Sequence, residues 1–220
     1  MRVASGLVLF LFAGTHFLNH AAGLFSLEAM QAGQDFRTTI TRSILGTLVL
    51  ALALLTHIGL GLYKLVQRTT LRLPIWELVQ IALGLAIPFM LLPHIVNTRV
   101  ANWGFGIHDT YLYELARLWP ASSIYQSVFL LIVWTHGCVG IHYWMRLYAP
   151  YRASLPLLRF FAIAVPLAAL GGFMTQGRAV AAMMQYPEMA AHVRTITRWP
   201  NAVDNVALAD LRMGVRVFFG

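Results

Sequence analysis

Apolar residues fall into five long blocks along the chain, each bounded by charge. The blocks lie between Arg2 and Glu28, Arg42 and Lys64, Glu77 and Arg99, Arg117 and Arg146, and Arg159 and Arg178. A helix that crosses a bilayer needs about 20 mostly apolar residues. The pattern therefore predicts an all-α integral membrane protein, a bundle of five full transmembrane helices with short interfacial helices. The expected spans cover residues 3–25, 40–65, 75–99, 119–147 and 156–177. The fifth block is the shortest and holds Pro166 and the Gly171-Gly172 pair, where a kink is expected. Such residues are tolerated in a span when neighbouring helices cover the backbone. Between spans three and four, Ile107 to Leu118 reads as a short helix lying on the membrane surface. Trp103, Tyr111, Tyr113 and Trp119 read there as an interfacial aromatic belt. Residues 179–198 read as an amphipathic helix with Met183, Met184, Met189 and Ile196 as its apolar positions, broken at Pro187. The final stretch, LADLRMGVRVFFG, reads as the start of a sixth span over 205–220, and hence as part of a longer chain.

Composition agrees with a lipid environment. The chain is 59% hydrophobic and 11% charged, against about 25% charged for a soluble domain. Its net charge of +8 is spread over the loops, which argues against nucleic acid as a partner and for topology signals. One side of the bilayer collects Arg2, Lys64, Arg68, Arg72, Arg146 and Arg152. The other collects Arg37, Arg42, Arg99 and Arg117, offset by Glu28, Asp35, Asp109 and Glu114. By the positive-inside rule the N-terminus is expected in the cytoplasm. The first block has no small-residue cleavage site and reads as a retained span. A single cysteine, Cys138, excludes a disulfide framework and a cysteine-ligated zinc or iron–sulfur site within this chain. No CxxCH motif is present for covalent haem attachment.

Histidine carries the chemistry. Six of the eight histidines fall in the first four spans: His16 and His20, His57, His94, and His136 and His142. An ionisable side chain within a span is costly and usually faces the bundle interior with a function. Any one of these rings is explained by a hydrogen bond to a neighbouring carbonyl; four consecutive spans carrying one each are not. Helix bundles hold metals and haems on inward-facing side chains, and two haems need four axial ligands. Counted at 1.5 Å per residue from the N-terminal side, His57 lies about 10 Å deep and His136 about 16 Å. His16 lies about 20 Å and His94 about 28 Å deep. The deep pair comes from spans one and three, the shallow pair from spans two and four. His20 and His142 remain open alternatives by depth. A zinc site lacks supporting carboxylates or thiols. Gly14, Gly59, Gly61, Gly84, Gly137 and Gly140 lie near the histidine-bearing turns, as a flat macrocycle or close helix packing requires. Thr15, Thr56 and Thr135 precede three of the histidines and either orient the rings or bond their own helix.

The segments SGLVLFLFAGTH, WELVQIALGLAIPFMLLPH and HGCVGIHYWMR resemble the di-haem cytochrome b subunits of fumarate reductase and succinate dehydrogenase. The resemblance covers about residues 4–175. It implies two haem b groups with His16, His57, His94 and His136 as axial ligands, spans one and three holding one haem, spans two and four the other. It leaves His20 and His142 for propionate or quinone contacts. Trp134 stands where the fumarate reductase branch carries a glutamate tied to proton movement. NHAAGLFSLEAM and the run through LPHIVNTR are more similar to a second branch, the N-terminal membrane anchor of certain bacterial class III adenylate cyclases. That likeness implies a six-helix haem domain in the bacterial inner membrane, followed by ferredoxin-like and cyclase domains, and a homodimer. The expected function is a redox or quinone sensor regulating an attached cyclase. The alternatives are an electron-transfer subunit with soluble flavin and iron–sulfur partners, and a haem-free scaffold. The chain itself carries no catalytic site: it has no glycine-rich phosphate loop and no paired metal-binding aspartates. Tyr63, Trp144 and Arg146, with His142 close by, are the candidates for a quinone contact near the cytoplasmic interface. His20 and Asn19 offer a second such place on the other side.

Overall fold

The computed structural model describes residues 1–70 and 72–219, the side chains of 215–219 excepted, and is all-helical among them. Five helical segments are long and apolar enough to cross a membrane: Arg2–Leu24, Ile44–Val66, Ile75–Phe105, Ser123–Met145 and Ala149–Met183. The protein is a multi-pass membrane protein. Helix α1 (Arg2–Ala21) ends in a 3₁₀ turn, Ala22–Leu24, and α2 (Leu27–Thr41) follows at that end of the bundle, here termed the far face. Helix α3 (Ile44–Val66) returns to the N-terminal face. Helix α4 (Ile75–Ile95) crosses again and continues through a π-helical turn, Val96–Val100, into α5 (Ala101–Phe105). The short α6 (Tyr111–Leu118) sits at the far face before α7 (Ser123–Met145) and α8 (Ala149–Met183) make the last two crossings. Helices α9 (Pro187–Ile196) and α10 (Ala202–Phe219) complete the far side.

Local signals set the boundaries. The hydroxyls of Ser26 and Ser43 accept from the amides of Ala29 and Gly46 at 3.1 and 3.0 Å, capping α2 and α3. Thr110 does the same for α6 through the Tyr113 amide at 3.3 Å. Gly106, at φ 64°, stops α5 in the left-handed conformation glycine adopts without penalty. Pro187 opens α9, where a missing amide hydrogen costs nothing. The expected break at Pro187 is therefore a helix start.

Helix α8 is longer than the expected fifth span and runs unbroken through Pro156 and Pro166. Arg159 and Arg178 bound the charge-free run of the sequence, not the helix. Pro166 has no N–H for the Ala162 carbonyl one turn back. The indole Nε1 of Trp134 donates to that carbonyl instead, at 2.8 Å. The freed acceptor in α8 is thus satisfied from α7, which gives Trp134 a structural role.

Close backbone packing runs from α1 to α3, α7 and α8, and from α4 to α7. A central cluster joins Phe17, Leu130, Trp134 and Ala169. Two further clusters lie toward the far face. One gathers Val96, Ala101, Ile107, Tyr113 and Leu208; the other gathers Leu115, Phe173 and Val180. The outward faces are apolar, as Leu52, Leu55, Phe160 and Leu167 on α3 and α8 show. That surface suits lipid.

Two expectations about the far face need correction. Tyr111 and Tyr113 are not belt residues: they are buried, because α6 packs against α2, α8 and α9. Trp103 is exposed as a belt residue should be. In the segment read as one amphipathic helix, α8 extends to Met183 and α9 buries Ala190 and Val193, while Met189 and Ile196 are exposed. Helix α10 begins at Ala202 and runs back beside α4, where Arg212 donates to the Asn97 side-chain oxygen at 2.7 Å. Of the expected sixth span, Gly220 and the side chains of 215–219 lie outside the described residues.

The end of α1 and α8 approach backbone to backbone. A Cβ built on Gly172 would sit 2.1 Å from the His20 carbonyl oxygen, and one on Gly23 would sit 2.7 Å from that of Gly172. Both obstacles are backbone, so only helix separation relieves them. Gly172→Ala should destabilise the bundle by about 1–3 kcal/mol. Gly59→Ala, with nothing within 4 Å of the new Cβ, should leave stability unchanged or raised. Thermal unfolding of both variants in detergent checks this.

Candidate functional site

Four histidines from four spans meet as two pairs. His16 of α1 faces His94 of α4 with ring centroids 6.2 Å apart, and His57 of α3 faces His136 of α7 at the same 6.2 Å. Neither α1 and α4 nor α3 and α7 are among the closely packed helix pairs. Each pair of rings therefore meets across a gap between helices. Nitrogen ligands stand about 2 Å from a metal ion. Two imidazoles bound to one metal from opposite sides then place their ring centres about 6 Å apart. Both pairs match that separation, with ring planes inclined at 56° and 90°.

The surroundings of the rings fit a bis-imidazole site. Nδ1 of His57 donates to the Arg2 carbonyl at 3.2 Å. This places the proton on Nδ1 and leaves the Nε2 lone pair free for a metal. His136 and His57 lie against helix surface bare of side chains. A Cβ on Gly84 would be 2.9 Å from the His136 ring, and one on Gly6 2.9 Å from the His57 ring. Nδ1 of His16 and of His136 are buried without a hydrogen-bond partner, a state that usually has a reason. Among the described residues, no group of three or more His, Cys, Asp or Glu stands close enough to hold a metal ion. Two imidazoles alone make a poor metal site, whereas a tetrapyrrole brings four more nitrogens. The residues present fit haem b better than a bare metal.

The other sequence candidates separate. His20 lies beside His16, its ring tilted with centroids 4.6 Å apart, and edge-on to Tyr111 and Phe173, with its Nδ1 buried and unpartnered. His142 is hydrogen-bonded through Nδ1 to the Tyr151 hydroxyl at 3.1 Å, joining α7 to α8. Tyr63 and Trp144 are exposed. Arg146 lies over the stacked rings of Trp76 and Tyr143. Among the described residues no ring contact joins Tyr63, Trp144 and Arg146 into one pocket. Thr15 bonds its own helix, at the Leu11 and Phe12 carbonyls.

A polar cluster at the far face was not singled out in the sequence. Arg42 holds Asp109 through two hydrogen bonds. The Asn19 side-chain amide donates to the Tyr111 hydroxyl at 2.9 Å, and Gln34 donates to the Asp109 carbonyl at 2.7 Å. Arg37 lies over the Phe12 ring, 5.5 Å from its centroid, with its Nε buried and unpartnered. Glu114 has a buried carboxylate oxygen with no partner. Burial, then the like charge of Asp109, push its carboxyl up to about 8. The loop charges were legible only as topology markers. What marks them as a cluster is their joint burial, which depends on α2 and α6 meeting.

No family model matches this chain, and no characterised protein or solved structure stands out as similar to it.

The Glu114 carboxyl gives a pH signature. The folded chain keeps a proton that the unfolded chain releases above about pH 4.5, so stability falls as pH rises from there to about 8. Glu114→Gln removes this loss. Its apparent melting temperature should match wild type near pH 5 and exceed it by several degrees at pH 8. An unchanged difference across that range would show that Glu114 is not the titrating group.

Proposed function

We propose that this chain is a di-haem b membrane domain of a bacterial inner membrane protein, working as a redox sensor with its N-terminus in the cytoplasm. One observation carries the reading. Two histidine pairs, drawn from four successive spans, face each other with ring centroids 6.2 Å apart across helices that do not pack closely. His16 and His94 would hold one haem, His57 and His136 the other, four ligands for two irons. The resemblance to the cytochrome b anchors of class III adenylate cyclases supplies the output: an attached cytoplasmic cyclase in a homodimer, with membrane quinone exchanging electrons.

When bound, haem b supplies one-electron chemistry at each site. The protein supplies position and a dry setting. The Arg2 carbonyl orients His57, and Gly6 and Gly84 give the rings of His57 and His136 room against the helices. Because each pair ties two loosely packed helices, a change in how firmly the imidazoles are held changes helix spacing. A sensor needs that differential stability between two states. The electron-transfer subunit is the alternative. Against it stands Trp134, an indole committed to the Ala162 carbonyl in the place where the fumarate reductase branch carries a glutamate.

The purified protein should contain two haems per chain, with a reduced-minus-oxidised spectrum of the b type. His16→Ala, His57→Ala, His94→Ala and His136→Ala should each lose one haem; His20→Ala and His142→Ala should keep both. Haem absent from wild type, or retained in full by all four ligand variants, would overturn the assignment.

A further inference from the structure

The two histidine pairs sit in different electrostatic settings. On the far side, the Arg37 guanidinium lies over the Phe12 ring, 5.5 Å from its centroid, and that ring stacks on His16 with centroids 6.3 Å apart, which sets the Arg37 charge beside the His16–His94 pair. Arg37 makes no ion pair among the described residues, and its Nε is buried. The neighbouring charges do not cancel it. Arg42 and Asp109 neutralise each other in a bidentate pair. Arg117 is committed to the Asn205 side-chain oxygen at 3.0 Å and lies over Trp199. Glu114, with its carboxyl pushed up to about 8, is mostly uncharged at neutral pH. Arg99 and Arg117 also make no ion pair among the described residues and are bound to the neutral side chains of Thr47 and Asn205, but it is Arg37 that lies beside the ring next to His16. On the other side, the cation that acts on His57 is Arg2, whose side chain is exposed and screened by water.

We infer that Arg37 is a potential-setting residue that makes the redox centre between His16 and His94 easier to reduce than the centre between His57 and His136. The inference rests on the di-haem reading above. Its physical basis is Coulombic. Reduction adds one negative charge to the centre, and a fixed buried cation favours the reduced form. In a medium of effective dielectric about 20, one unit charge about 10 Å away changes the ratio of reduced to oxidised forms roughly tenfold. A carboxylate arm of the bound group seated on Arg37 would leave the sign of Arg37's own contribution unchanged. An electron entering either centre then settles at the far face, so the state of the His16–His94 pair is the one that records a mild reductant.

Spectroelectrochemical titration of the purified, haem-loaded protein tests this, with the far centre assigned as the component missing from His94→Ala. Wild type should show two steps, the higher belonging to the far centre. Arg37→Gln should lower that step by a tenfold or greater change in the reduced-to-oxidised ratio, about 59 mV for one electron. The other step should stay in place. Arg37→Lys should restore most of the shift. Thr41→Glu, which sets a carboxylate one turn from Arg37 on α2, should lower the same step with Arg37 intact, and so serves if Arg37→Gln fails to accumulate. Two haems with potentials unmoved by these variants, or the near centre as the higher, would overturn the inference while leaving the di-haem reading intact. A wild type without two haems would defeat the di-haem reading itself.

Discussion

Inside a bilayer there is no water to accept a stray hydrogen bond, and this bundle is organised around that constraint. Its response is clearest at Pro166, where the helix loses a donor and the Trp134 indole of the next helix replaces it. Gln176 does similar work, donating to the Gly23 carbonyl at 2.7 Å where α1 gives way to its terminal turn. Gln80 reaches the His136 carbonyl at 3.0 Å from α4. Against that background, the buried ring nitrogens of His16, His20 and His136 that lack partners are exceptions. Those of His16 and His136 belong to rings that face a second imidazole across a helix gap.

Much of the fold was legible because lipid imposes a length. Five charge-free runs became five spans, and Gly84 and the histidine turns fell on the inner faces that the spacing suggested. The pairing was harder. The depths of His57 and His136, and of His16 and His94, differ by several ångströms when counted along untilted helices, yet the ring centroids stand 6.2 Å apart in both pairs; helix tilt of the ordinary range absorbs a difference of that size. The far face was not legible. Tyr111 and Tyr113 have the composition of an interfacial belt, and only the packing of α6 against α2, α8 and α9 buries them. Likewise, hydropathy marks where α8 leaves the hydrocarbon, whereas helix propensity carries it on through Arg178 to Met183.

The two faces also differ in how they treat charge. On the N-terminal side Arg68 pairs with Glu77, both part-exposed, and Arg146 spreads over Trp76 and Tyr143. Water reaches these groups and weakens their fields. On the far side the charges are enclosed by α2 and α6, so each unbalanced one acts over a longer distance. The chain thus screens the rings near its N-terminal face while exposing those near the far face to a fixed positive field.

The spans fall into a close-packed set, α1 with α3, α7 and α8, and a remaining span, α4, that leans on α7. The contact between the rings of His16 and His94 joins α1 to α4, and that between His57 and His136 joins α3 to α7. Whatever occupies the space between the rings therefore becomes part of the packing. A ligand-binding bundle of preformed helices would feel its cofactor as a guest. Here the histidine pairs bridge helices that do not pack closely, so the approach of the rings and the spacing of those helices are set together.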